Sequence, residues 1–478
     1  MGDQLKGRSA ATNGNAQHLK DVENGRTTHG AKVLDTTPVS GPEGGNFWQR
    51  ALWHGGSVYD AWLSASCAQV GQVILTMPTS YAQMGYKWGV FFQIFYASVG
   101  IFTCYLLARL YVEYRTRKER EGVDFSKHVI QYHEVLGSLV GNWAKRASLF
   151  FNIVTVGALS VVQIIACASN AYYLNPNHDK RTWTIVFGAV STLVVFLPTI
   201  HNYRVWSLMG VLTTTYTAWF MFISALVHGQ TKGATHAGPF NIVSFFTGTT
   251  NILFASGGHA ITIEIMHAMW RPARFKYVYV FCCLYVLSIT VPHSVTVYWA
   301  FGDVLLHKNN AFAVFAPSHA RSTAIVFMIM HQAVAFGLFS MPLMLFWEKL
   351  LGLHYSHYLV RTACRVPVAL LLWLLALAFP FFGPLNSMIG ALFMSFSVFI
   401  VPCVAYIITF WTPKSRQNEA ETPSKFRRLI GWWGIVAISS LIVVIVAALG
   451  SGLGSYASVE NIIQQIHQFG LFDKCYQC

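Results

Sequence analysis

Charged side chains are scarce in this chain: Asp, Glu, Lys and Arg together make up 11% of its 478 residues. Soluble domains carry about twice that share, so the scarcity excludes an ordinary water-soluble enzyme or binding module. Acidic residues are the scarcer sign, 19 against 33 Lys and Arg. No Asn-x-Ser/Thr acceptor occurs, so glycosylation is silent on topology. Residues Met1 to Gly45 contain no apolar run that would serve as a signal peptide; they are Gly-, Asn- and Thr-rich and read as a disordered tail. A phosphate-cradling glycine loop and a nucleophile elbow are both missing, which leaves no enzyme motif in view.

What is present is apolar length. Hydrophobic residues make up 54% of the chain, with a mean hydropathy of +0.45, and runs of roughly 20 apolar residues recur after Val58, each enough for one membrane crossing. Eleven helices are expected, near residues 58–84, 88–112, 147–173, 182–199, 205–227, 245–267, 277–301, 322–348, 366–383, 387–411 and 430–450. The formal charge of +14 would suit nucleic acid, but 26 of the 33 basic residues fall in alternate loops together with the N-terminus. Clusters such as YRTRKER (Tyr114 to Arg120), RPARFK (Arg271 to Lys276) and KFRR (Lys425 to Arg428) sit on that side. The positive-inside rule then puts the N-terminus in the cytosol and the C-terminus outside, with the bilayer and not nucleic acid as the large partner.

Nine cysteines are present. Most lie within or beside the spans as small apolar residues. CYQC (Cys475 to Cys478) falls outside the cell on this topology; a disulfide or a metal is conceivable there, but a single CxxC without a second ligand pair is weak, and no metal is expected.

Two spans are interrupted alike. The first holds LSASCAQVGQVILTMPTSYAQMG (Leu63 to Gly85), with Gly71 ahead of Pro78; the sixth holds ILFASGGHAITIEIM (Ile252 to Met266), with Gly257 and Gly258 in mid-span. Glycine weakens a helix by up to about 1 kcal/mol relative to alanine. Unwound backbone at membrane depth has to face protein or a water-filled cavity. Breaks five helices apart point to an inverted repeat with a substrate site between its halves. The domain expectation is therefore a tail over 1–47, five-helix units over 48–227 and 228–411, and an eleventh helix with an outer segment over 412–478. The plain alternative is that the glycines only let helices pack closely.

His259 follows the glycine pair and would open the second half of the sixth helix. An ionisable residue inside the membrane marks function by default, and a histidine titrates near pH 6.5, between an acidic exterior and a neutral cytosol. Glu264 lies about 7.5 Å further on at roughly 1.5 Å per residue; it either relays the proton or pairs with a basic neighbour near the interface. Gln163, Asn170, His331 and Gln332 are further polar groups in apolar surroundings, equally suited to touching substrate or to bonding helix to helix. A metal-enzyme reading of His259, Glu264 and His267 fails on geometry: at about 100° per residue, His259 and Glu264 differ by about 140° and share no face. Their order also departs from HExxH.

WHGGSVYDAW (Trp53 to Trp62), QIIACASNAYYLN (Gln163 to Asn175), DKRTWT (Asp179 to Thr184), GGHAITIEIMHAMW (Gly257 to Trp270), FPFFGPLNS (Phe379 to Ser387) and FGLFDKCYQC (Phe469 to Cys478) resemble the plant auxin influx carriers of the amino acid/auxin permease family. The likeness runs from about Trp48 to the last residue. It implies an all-α, eleven-helix, leucine-transporter-like fold in the plasma membrane, proton-driven uptake of indole-3-acetic acid, no cofactor beyond the coupling protons, and a functional histidine at His259. Where the family has a Ser-Asn-Gln string this chain has Cys67, Ala68 and Gln69, and it differs again at Phe254, Ala255 and Ser256. In this reading the carboxylate meets free N–H groups at the breaks (Gly257, Gly258), Ser64 or Ser66, Gln69 and protonated His259, while Phe254 and Met341 hold the ring. An amino-acid permease of the same fold is the competing reading.

Overall fold

The computed structural model describes residues 56–71, 73–125, 128–197, 203–308, 310–379 and 382–470, without the side chains of Arg204, His259 and Phe469. The chain divides into two units, Met1–Asp35 and Thr36–Cys478, and every described residue lies in the second. The expected tail over 1–47 and the Cys475 and Cys478 pair lie outside the described residues.

Every regular element among the described residues is helical. The chain enters α1 (Val58–Val70) through a capping box: Ser57 Oγ accepts from the Asp60 N–H while the Asp60 carboxylate accepts from the Ser57 N–H. This closes two orphan donors of the first turn. Gly71 ends α1 with φ 13° and ψ −135°, and α2 (Val73–Met84) resumes with Pro78 inside it. At Gly85, φ +79°, the chain turns sharply; a Cβ there would stand 2.7 Å from the Gly238 carbonyl oxygen.

The first half continues through α3 (Tyr86–Arg120), α4 (Tyr132–Val140), α5 (Asn142–Leu174), α6 (Lys180–Ser191, prolonged by a 3-10 turn to Phe196) and α7 (Arg204–His228). Next come α8 (Ile242–Ala255), a 3-10 turn over Gly258–Ile261, α9 (Thr262–Ala268), α10 (Phe275–Phe301), α11 (His319–Leu350) and α12 (Tyr358–Ala378). The chain then follows α13 (Phe382–Met388), a π-helical stretch Ile389–Ile400, α14 (Val401–Thr409), α15 (Pro413–Gln417), α16 (Lys425–Ile445), a π-helical stretch Val446–Gly454 and α17 (Ser455–Phe469).

Eight of these helices, counted among the described residues and with α13–α14 and α16–α17 each taken as one, are long and apolar enough to cross a membrane. The interrupted pairs α1/α2 and α8/α9, and α6 with its turn, correspond to the other three expected crossings. Among the differences from the sequence reading are the bounds of two spans and one short helix. The span expected at 366–383 begins at Tyr358 and stops at Ala378. The one expected at 430–450 is helical from Lys425 to Phe469 apart from a kink at Gly431, where φ 70° and ψ 179° are not helical. The short helix α4 was not foreseen, because nine residues cannot span and so escaped a search for spans.

The long helix α11 packs on α5 and α7, α10 lies against α1, α3 and α7, and α8 lies against α2. At the basic end of the molecule the charges are paired. Glu419 accepts from both Arg109 and Arg427, and Glu421 pairs with Lys276 and Arg109. Glu134 of α4 holds Lys349 of α11 at 2.9 Å and His128 at 3.1 Å. Burial alone would raise the Glu134 carboxyl, but the His128 hydrogen bond and the Lys349 charge outweigh it and bring it down to about 2. That latch is therefore charged at any pH near neutrality.

Candidate functional site

The two interruptions meet. A Cβ on Gly258 would stand 2.9 Å from the Gln69 Cβ, so the turn after α8 lies directly on the last turn of α1. Gly257 is equally crowded, its Cβ position 2.6 Å from the Met394 sulfur. On the third side, a Cβ on Gly71 would stand 3.3 Å from His331 Nε2. The chain unwinds after Ala255, where the Ser256 and Gly257 N–H groups fold back on the Leu253 and Phe254 carbonyls. The Ser256 carbonyl, freed from the helix, accepts from the Tyr279 hydroxyl at 3.4 Å. Ser256 and Gly257 are buried, which is the setting that unwound backbone at membrane depth requires.

The expected site residues divide into two groups. Around the junction stand Ser64, Ser66, Cys67, Ala68 and Gln69 on α1, the first half of the first broken helix, and Phe254, Gly257 and Gly258 at the second break, together with His331. His259 lies on the 3-10 turn between α8 and α9, and its side chain is outside the described residues. Ser64 lies 3.3 Å from Ser207 of α7. The Ser66 hydroxyl is buried beside the Cys282 thiol. The Gln69 amide is turned toward α10: its Oε1 accepts from the Cys282 thiol at 3.2 Å and its Nε2 donates to the Cys283 sulfur at 3.9 Å. Thiols are weak partners, so this amide is lightly held.

The second group bonds helix to helix. Asn170 of α5 donates to Gln332 of α11 at 3.1 Å and accepts from Asn310 at 2.8 Å. Gln163 and Met341 are fully buried in α5 and α11. Glu264 of α9 is buried, and among the described residues no ion pair reaches its carboxylate. Lys349, the basic group that acts on it electrostatically, directs its ammonium to Glu134 and the Val129 carbonyl instead. His267 is half-buried on the same short helix.

Sequence reasoning missed Met394, the Cys282–Cys283 pair, Tyr279 and Gly210. The last packs so closely that a Cβ there would meet the Cys67 sulfur at 2.5 Å. None carries a motif; only the adjacency of helices brings them in. The junction gathers amide, hydroxyl, imidazole and unwound backbone groups within an apolar wall.

A family described as transmembrane amino acid transporter protein matches residues 54–450. Among curated proteins the chain is 50% identical over 459 residues to the auxin transporter-like protein 3 of Oryza sativa subsp. japonica, covering 96% of this chain and 82% of that one. It is 51% identical to the auxin transporter-like protein 2 of Arabidopsis thaliana, covering 89% and 88%. To the auxin transporter protein 1 of Arabidopsis thaliana it is 48% identical, covering 93% and 91%. A crystal structure of MhsT in complex with L-phenylalanine aligns with a TM-score of 0.52 at 11% identity, covering 82% of this chain and 98% of that chain. That likeness is one of fold, the leucine-transporter-like arrangement.

Proposed function

Since this chain belongs to the transmembrane amino acid transporter family, and is a transporter and not an enzyme, we propose that it imports the indole-3-acetate anion with protons across the plasma membrane. The observation that carries the reading is the identity of about half over most of the chain to relatives named auxin transporters. The contact of Gly258 with Gln69, which brings the two breaks together around His259, supports a binding place between the halves. With the N-terminus cytosolic, the anion enters from outside between the broken helices. Its carboxylate meets the unwound backbone, Ser64 or Ser66, Gln69 and protonated His259, and its ring rests on Phe254.

Carrying one negative charge inward costs about 2.3 kcal/mol per 100 mV of membrane potential. One proton cancels that charge and a second lets the potential drive uptake. Rocking of the units 48–227 and 228–411 then opens the site inward, where higher pH strips the proton from His259 and loosens the anion. Glu264, buried beyond it without an ion pair, stands on the exit side as the next proton acceptor.

Cys67 and Ala68, where the resembled carriers have Ser and Asn, favour testing an amino-acid cargo alongside. Uptake of radiolabelled indole-3-acetic acid into cells expressing the chain, at external pH 5.5 and 7.5 with and without unlabelled tryptophan, decides between them. Saturable uptake that rises at pH 5.5 and ignores tryptophan is expected. Uptake that tryptophan abolishes, or none, transfers the reading to an amino-acid permease.

A further inference from the structure

His331 is fully buried on α11. Its Nδ1 lies 3.1 Å from the Gly210 carbonyl oxygen of α7. A carbonyl only accepts, so Nδ1 carries the hydrogen and Nε2 holds the lone pair of the neutral ring. That Nε2 is buried without a hydrogen-bond partner among the described residues, and the position a Cβ would take on Gly71 is 3.3 Å from it. The nitrogen therefore faces the point where α1 unwinds.

The end of α1 is rich in acceptors. The last four carbonyls of a helix lack an intrahelical donor, and the aligned peptide dipoles leave about half a negative charge there. Half-helix C-terminal ends of this kind hold cations in membrane carriers. The neutral ring presents a lone pair to that negative end and satisfies nothing. A proton on Nε2 supplies a positive charge where the dipole favours one. Around the ring, α1 contributes the Cys67 thiol, 3.9 Å from Nδ1, and α7 contributes only the Gly210 carbonyl. On α5 the Cys167 thiol donates to the Ile329 carbonyl. No charged side chain among the described residues acts on the ring.

We propose that His331 is a second proton-binding site of the transport cycle: protonated at Nε2, it ties α11 to the unwound end of α1, and losing that proton releases α1. The inference rests on the proton-coupled reading and deepens it by giving the second proton a place, separate from His259. It also gives His331 a task other than contact with substrate.

Charge and radiolabelled indole-3-acetate are measured together in voltage-clamped oocytes expressing the wild type, His331→Lys and His331→Gln. The wild type is expected to move one net positive charge per anion. Both variants are expected to move none, and to lose the part of the pH profile that His331 supplies. An unchanged ratio and pH profile in His331→Gln overturns the proposal. Hydrogen exchange on the purified wild type, read by mass spectrometry at pH 5.5 and 7.5 and corrected for intrinsic rates, tests it without substrate or variant. Backbone protection over residues 66–73 is expected to fall at least threefold at pH 7.5, and equal protection overturns it. A wild type that moves no indole-3-acetate overturns the proposed function, while the exchange result still decides on His331.

Discussion

Two clusters of glycine lie at membrane depth and end differently. At Gly257 and Gly258 the helix stops, turns and starts again. At Gly450, Gly452 and Gly454 it continues as a π-helical stretch from α16 into α17. Intrinsic propensity is equally poor in both. The surroundings differ: Ser256 is 5% exposed within protein, whereas Leu453 is 41% and Tyr456 62% exposed on a face that lipid would cover. An unpaired N–H or C=O facing hydrocarbon costs several kcal/mol, so a break is tolerated only at the first place. The glycines of the second cluster serve close packing instead. Gly454 lies on Thr250 and Gly450 on Ser395 and Leu253, which brings α16–α17 onto α8. The same residue type thus opens a site in one helix and closes a seam in another.

That contrast has measurable consequences. Gly454→Ala should cost about 2–3 kcal/mol, the range of overpacking, because its Cβ would press on Thr250 and stand 2.9 Å from the Leu449 carbonyl. Thermal unfolding in detergent measures this, and uptake per folded molecule should stay at the wild-type level. Gly258→Ala should do the reverse. Its Cβ would push the Gln69 stem off the second break, and uptake should fall at least about tenfold, equivalent to about 1.4 kcal/mol, with little change in the melting temperature. Equal losses of stability in the two variants would erase the distinction between a seam and a site.

The smallest effect belongs to the Glu134 latch. The carboxyl titrates near 2 in the folded chain against an ordinary 4.5. The contribution of its pairing with Lys349 and His128 is therefore complete above pH 4.5 and is lost as the pH falls toward 2. The part of the stability difference between wild type and Glu134→Gln that comes from the Glu134 charge should shrink as the pH falls below about 4.5. A slope between pH 5 and 7 would make this latch a sensor in the transport range, a role otherwise left to His259 and His331.

Much of the site's outline was legible in the chain. Gly71 and the Gly257–Gly258 pair marked real interruptions because few sequences place small residues and an ionisable one in mid-span without a cavity to receive them. The partners were not legible. Gln69 was expected to face a carboxylate, yet its amide rests on Cys282 and Cys283, residues that look like ordinary apolar filler. Asn170 and Gln332 join each other and Asn310 across elements far apart in sequence. The extension of the last helix to Phe469 was hidden because Gly450–Gly454 has the composition of a terminator.

By itself the sequence determined that this chain lies in a membrane, how its hydrophobic runs are spaced, which end carries the basic loops and where two helices are weak. These follow from transfer free energies and backbone propensities, which act locally and add along the chain. Only the tertiary structure decided that the two weak points touch, that His331 turns a bare nitrogen toward one of them, and that the glycines of 450–454 stay helical. Those outcomes depend on which helix stands beside which, and on whether protein or lipid covers each unpaired backbone group.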